Sequence, residues 1–253
     1  MPGRIISLAF PLDGLKMKKL SLLISTAVMA SAFIAVPNLL IDPISMSSQA
    51  VAEQVKKKKR HPGKRLYMRK TCMACHGKGG ARPIQNYPSI SGQSEKYIAK
   101  QVKDILSGKR VGSKDENGTM RTAPMTGSLI TPEGKVRISD DEIKQIANWL
   151  STQPPAKVKP LETPLSADQI TAAKKLYKKK CRACHGKGAL KPLKNYPIIA
   201  GQNKAYIIAQ VNDVKNKIRK NGKIKSMYPM VKKLTDDQIE LLASYLSQIV
   251  RSK

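Results

Sequence analysis

Aromatic residues are scarce in this 253-residue chain, at 4% of the sequence, and its only two Phe, Phe10 and Phe33, both precede position 50. A domain of roughly 90 residues cut from the remainder would struggle to build a core from its own side chains. A large apolar group from outside would supply the missing bulk. Acidic residues are also few, 17 against 47 Lys and Arg, which leaves a formal charge of +30. Such an excess favours acidic proteins or an anionic membrane surface as partners, through long-range steering. The basic residues run through both halves without a recognisable nucleic-acid motif, so no nucleic acid is expected as a partner. With only three His and four Cys, the chain has little to spend on metal chemistry.

All four Cys fall in two pentapeptides, Cys72-Met73-Ala74-Cys75-His76 and Cys181-Arg182-Ala183-Cys184-His185. Cysteines three apart lie one helical turn from each other, so their thiols can reach the two vinyl groups on one porphyrin edge, with the adjacent His under the iron. The competing readings are a redox disulfide and a zinc site. A redox motif does not require His at the next position twice, and a closed zinc site needs a fourth ligand that neither half supplies. The pattern predicts two covalently bound c-type haems, tethered by Cys72 and Cys75 and by Cys181 and Cys184. His76 and His185 are the expected iron ligands.

The start of the chain reads as an export segment. After Met17, Lys18-Lys19 forms a positive region and Leu20 to Val36 is apolar, the pattern of a secretory signal. Cleavage after Ala50-Val51-Ala52 is one reading; an uncleaved membrane anchor is the other, since about 20 apolar residues suffice to span a bilayer. Residues 1–52 are thus an export signal or anchor and 53–60 a basic arm that could rest on anionic headgroups. Either way the protein is expected in the periplasm, soluble or attached to the cytoplasmic membrane.

Two similar blocks follow. In 61–151 the periodicity predicts helices over 63–75, 95–106 and from the capping box Ser139-Asp140-Asp141-Glu142, with a loop over 107–138. Residues 152–165 hold four Pro and read as a semi-rigid linker. In 166–253, capping boxes at Ser166 and Thr235 open the first and last helices. Asn86-Tyr87-Pro88 matches Asn195-Tyr196-Pro197, Gly92-Gln93 matches Gly201-Gln202, and Gln101-Val102 matches Gln210-Val211, each pair 109 positions apart. The halves look like a duplicated domain.

The second axial ligand decides between an electron carrier and an open, reactive iron. With His76 and His185 used, one His is left, and Met is the remaining common choice. Met120 and Met125 are available in the first block, Met227 and Met230 in the second. Aligning Ala123-Pro124-Met125 with Tyr228-Pro229-Met230 singles out Met125 and Met230, in loops where the Pro fixes the backbone; Met120 and Met227 are the alternatives.

Two such blocks, each with a Tyr-Pro loop, a Gly-Gln turn, a late Pro-Met and a closing amphipathic helix, resemble class I cytochromes c, and the tandem resembles the dihaem cytochrome c4 type. The resemblance implies an all-α fold of two tandem domains, each wrapped around one covalent haem, with His and Met as axial ligands. It also implies single-electron carriage between respiratory partners, with membrane complexes such as a terminal oxidase or acidic redox proteins as donor and acceptor. The rival is a cytochrome subunit of a periplasmic oxidoreductase, such as a sulfur-compound dehydrogenase. No catalytic residue is expected.

Overall fold

The computed structural model describes residues 61–193 and 195–251. The expected export segment and basic arm lie outside them. The described residues form helices only, joined by loops with two isolated bridges. No helix among them is long and apolar enough to cross a membrane.

The first half contains α1 (Pro62–Arg69), α2 (Cys72–His76), α3 (Glu95–Leu106), α4 (Ala123–Leu129) and α5 (Asp140–Ser151). The second contains α6 (Ala167–Lys180), α7 (Arg182–His185), α8 (Lys204–Lys215), α9 (Ile224–Val231) and α10 (Asp236–Ser247). Three helices start where the sequence places capping boxes: Ser139, Ser166 and Thr235 each accept from the third helical residue, whose side chain reaches back to the cap. Two backbone donors are satisfied at each start, which fixes it without tertiary help.

First and last helices pair in each half, α1 with α5 and α6 with α10, and the middle helices α3 and α8 pack on α5 and α10. The α1–α5 crossing is close because Gly63 has no side chain: a Cβ there would lie 2.0 Å from the Gln145 carbonyl oxygen. Each half has its own core. Leu66, Tyr67, Ile98, Ile143, Ile146, Ala147, Trp149 and Leu150 are among those that close the first; Tyr177, Ile207, Val214, Ile239, Leu242, Ala243 and Leu246 are among those that close the second.

The helix expected over 63–75 is interrupted. Thr71 takes a left-handed conformation, φ 59°, and separates α1 from α2. In the second half the break is Cys181, between α6 and α7. The stretch expected as loop over 107–138 contains α4, with Pro124 in its first turn, where a missing amide costs nothing, and Leu129 buried at its end. Met125 and Met230 are therefore in helices, not in loops. Pro229 lies inside α9, a position sequence rules discourage.

Candidate haem sites

The two pentapeptides are held in matching ways. Tyr67, buried in α1, donates its hydroxyl to the Gly77 carbonyl at 2.7 Å, and Tyr177 in α6 does the same to Gly186 at 2.7 Å. Burial pushes both phenols upward. Those glycines are obligatory: each has a positive φ, and a Cβ would come within 1.8 Å of the Arg82 oxygen or 1.9 Å of the Lys191 oxygen. The chain folds back over the motif, and the Ile84 and Leu193 amides donate to the Cys75 and Cys184 carbonyls.

His76 Nδ1 lies 3.0 Å from the Pro88 carbonyl oxygen and His185 Nδ1 2.9 Å from that of Pro197. A carbonyl only accepts, so Nδ1 carries the proton and donates, leaving the Nε2 lone pair free for a metal. Burial lowers both imidazole pKa values and keeps the rings neutral, as a ligand must be. Tyr87 and Tyr196 stand edge-on to these rings, centroids 6.3 and 6.0 Å away.

No disulfide joins any of the four cysteines. Burial raises the Cys72 thiol to about 11 and that of Cys181 to about 12. Among the described residues, no group of three or more His, Cys, Asp or Glu is arranged to hold a metal ion. Paired cysteines beside a neutral His with one free nitrogen fit a covalent haem and do not fit a closed zinc site, which needs a fourth ligand.

The methionine register differs from the one the Pro-Met dipeptide suggests. Met125 is half-buried, packs on the first core, and stands four residues before buried Leu129. In α9 the residue with those properties is Met227, half-buried on the second core and four before buried Val231. Met230 is 39% exposed and does not pack on that core. Residues four apart share a helix face, whereas Met230, one before Val231, points about 100° away. Counted from the buried residues Leu129 and Val231, Met230 falls at the position of Ser128 and Met227 at that of Met125. Met120 is 36% exposed, outside α4.

Sequence reasoning missed the contact between the halves. Gln93 donates Nε2 to the Ile198 carbonyl at 2.6 Å and accepts the Ile198 amide at 3.0 Å. Gln202 makes the same pair with Ser89, at 2.8 Å each. Below these, buried Arg110 donates to Gln101, Tyr206 and Gln210, and buried Arg219 donates to Gln210 and Gln101. Asn221 donates to Asp104 at 2.7 Å, and the Ser113 amide to Asp213 at 3.1 Å. Near the C-terminus, Arg251 donates to the Ser91 and Gly92 carbonyls. No buried side-chain nitrogen or oxygen among the described residues lacks a partner. The available signal was the 109-residue repeat of Gln93, Gln101, Asp104 and Arg110 as Gln202, Gln210, Asp213 and Arg219.

Comparison with known proteins agrees with this architecture. The family model described as "Cytochrome c" matches residues 61–154, and that described as "Cytochrome C oxidase, cbb3-type, subunit III" matches 168–246. Cytochrome c4 of Stutzerimonas stutzeri is 31% identical over 184 residues, 69% of this chain and 82% of that protein. The "Thiosulfate dehydrogenase electron acceptor" of Thiomonas intermedia (strain K12) is 29% identical, over 70% of this chain and 77% of its own length. The crystal structure of reduced recombinant cytochrome c4 from Pseudomonas stutzeri superposes with a TM-score of 0.60 at 28% identity, covering 74% of this chain and 97% of that one. On that likeness, together with the doubled Cys-x-x-Cys-His domains, the chain belongs to the cytochrome c4 family of dihaem c-type electron carriers.

Proposed function

We propose that this protein carries single electrons between periplasmic redox partners on two covalently attached haems. Cys72 and Cys75 hold one and Cys181 and Cys184 the other; His76 and His185 are the proximal ligands. Met125 and Met227 are the distal ligands, with Met227 taking the place that the Pro-Met dipeptide gave to Met230. We take 61–151 and 166–253 as the haem-bearing domains and 152–165 as their linker.

The observation that carries this reading is the doubled arrangement itself: two thiols, a neutral His tied by Nδ1 to a proline carbonyl, and a core-facing Met, once in each half. When bound, a c-type haem supplies a one-electron ferrous/ferric couple. The chain's part is to hold that couple. Each proline carbonyl fixes the orientation and basicity of its His. Tyr67 and Tyr177 pin the turn behind it, and the apolar cores on which Met125 and Met227 pack would keep water from the group.

An optical redox titration with carbon monoxide added to the reduced form tests the reading. Two low-spin haems indifferent to carbon monoxide are expected. Met227→Leu should open the second site to carbon monoxide and abolish its thioether-to-iron absorption, while Met230→Leu should leave both unchanged. The opposite result for these two variants would restore Met230 as the ligand.

A second reading concerns the donor. The relative named as an electron acceptor of thiosulfate dehydrogenase supports a place in sulfur-compound oxidation. Reduction of the oxidised protein by such a dehydrogenase with thiosulfate, but not by either alone, is the expected result; a respiratory donor acting without it would favour the first reading.

A further inference from the structure

The two haem-attachment faces are held by matching hydrogen bonds and differ in surface charge. Counted from Tyr67 and Tyr177, which make the same hydrogen bond, Met68, Arg69 and Lys70 correspond to Lys178, Lys179 and Lys180, with Thr71 an extra residue before the first cysteine. Within the pentapeptides Met73 corresponds to Arg182. On the first face Met68 is 41% exposed and Met73 45% exposed, and both are uncharged. Arg69 and Lys70 share one carboxylate that offsets one of their two charges: Glu142 lies 3.2 Å from Arg69 and 2.9 Å from Lys70. Those two cations hold the Glu142 carboxyl below its usual range together with the Ser139 amide, with Lys70 the largest influence.

The second face has no such carboxylate. The third residue of the α10 capping box is Gln238, which returns to its own cap and carries no charge. Lys178, Lys179 and Arg182 are exposed, and no described acidic side chain pairs with them or with Lys180. Lysines at the end of a helix are favoured by its dipole, but that accounts for one or two charges in the last turn. It does not account for Arg182 beyond it, nor for the missing counter-charge.

We infer that the second domain's face around Cys181–His185 is the docking surface for an acidic redox protein, and that the first domain's face, where Met68 and Met73 stand in place of cations and Glu142 offsets one of the two that remain, is not. The inference rests on the electron-carrier reading above. Exposed cations around a site of electron entry raise the encounter rate with an acidic partner and orient it. An unneutralised cluster does so on one side only.

The test uses the haem-loaded full chain and reduced flavodoxin, an acidic one-electron donor. Each encounter takes one electron from the reduced flavin, leaving its semiquinone, and reduces one ferric haem to ferrous. Lys178→Met with Arg182→Met installs the residues the first face already tolerates. This pair should lower the bimolecular rate at low ionic strength by about tenfold, whereas Lys64→Met with Arg65→Met, equal in charge removed, should lower it by less than about twofold. The gap should close at high salt. Gln238→Glu, which supplies the missing carboxylate while keeping the capping box, should slow the reaction in the same direction.

Equal losses from the two pairs would overturn the inference in favour of steering by net charge alone. So would an unchanged rate accompanied by loss of binding to phosphatidylglycerol vesicles, which would make the face a membrane contact. A redox titration of each variant separates the two levels: absence of a reversible one-electron couple sinks the carrier reading itself, and intact couples with equal rates sink only the docking surface.

Discussion

Replacing Gln202 by Ala should cost the protein about 3 kcal/mol, and the reasoning is local. The side chain accepts from the Ser89 and Asn203 amides at 2.8 and 2.9 Å and donates to the Ser89 carbonyl at 2.8 Å. Ser89 is only 4% exposed, so its amide and carbonyl cannot turn to solvent. Each buried group left unpaired costs about 1–3 kcal/mol, and two are orphaned. The two together would cost about 2–6 kcal/mol, and water entering the vacated space brings the sum toward the lower half of that span. Gln202→Glu should cost at least as much, because it keeps the acceptor but sets a carboxylate oxygen against the Ser89 carbonyl. Urea unfolding of the haem-loaded protein, followed by absorbance and by far-ultraviolet dichroism, reads the change. A loss below about 0.5 kcal/mol, the range of an ordinary surface substitution, would refute the argument that this glutamine seals a dry contact.

Three further outcomes follow from the same geometry. Gly186→Ala should drop the haem content from two per chain toward one, since its Cβ would sit 1.9 Å from the Lys191 oxygen at φ +77°; a pyridine-haem assay returning two would count against the strained turn. Tyr177→Phe should lower stability by about 1 kcal/mol through loss of the 2.7 Å bond to Gly186, and an unchanged melting curve would show that bond to be dispensable. Asp104 is pushed up by burial, but Lys100 and Asn221 outweigh this and hold its folded pKa below the usual carboxylate value. Its stabilisation is then present above about pH 4 and lost as pH falls through the folded pKa, so Asp104→Asn should be less stable than the native chain at neutral pH and converge with it in acid.

What could be read from the sequence divides along physical lines. α3, α5 and α10 were legible because each combines an N-cap with apolar residues at a helical period, and both signals are local. α4 and α9 were not, since Pro124, Gly127 and Pro229 argue against helix, and burial of Leu129 and Val231 decides otherwise. The cysteine and histidine positions needed no structure. The methionine register proposed above did, because it rests on the burial of Leu129 and Val231, which only the fold shows. Gln93 and Gln202 were visible as matched residues, yet nothing within a few positions of a glutamine reveals that its amide binds backbone 105 or 113 residues away.

That reciprocal contact has an implication for how such a chain arises. Each half carries both the glutamine that reaches out and the backbone that receives one, so the two bonds form an isologous pair of the kind that joins identical subunits about a two-fold axis. Duplicating and fusing a one-haem gene would preserve the pair and confine the copies by a short Pro-rich tether. The tether adds no contact of this type; it replaces the protein concentration that a dimer depends on with a fixed effective concentration. Once both copies are guaranteed to meet, each is free to change its outer face without losing the other, and a Gln at 238 where the first copy keeps Glu142 is one such change.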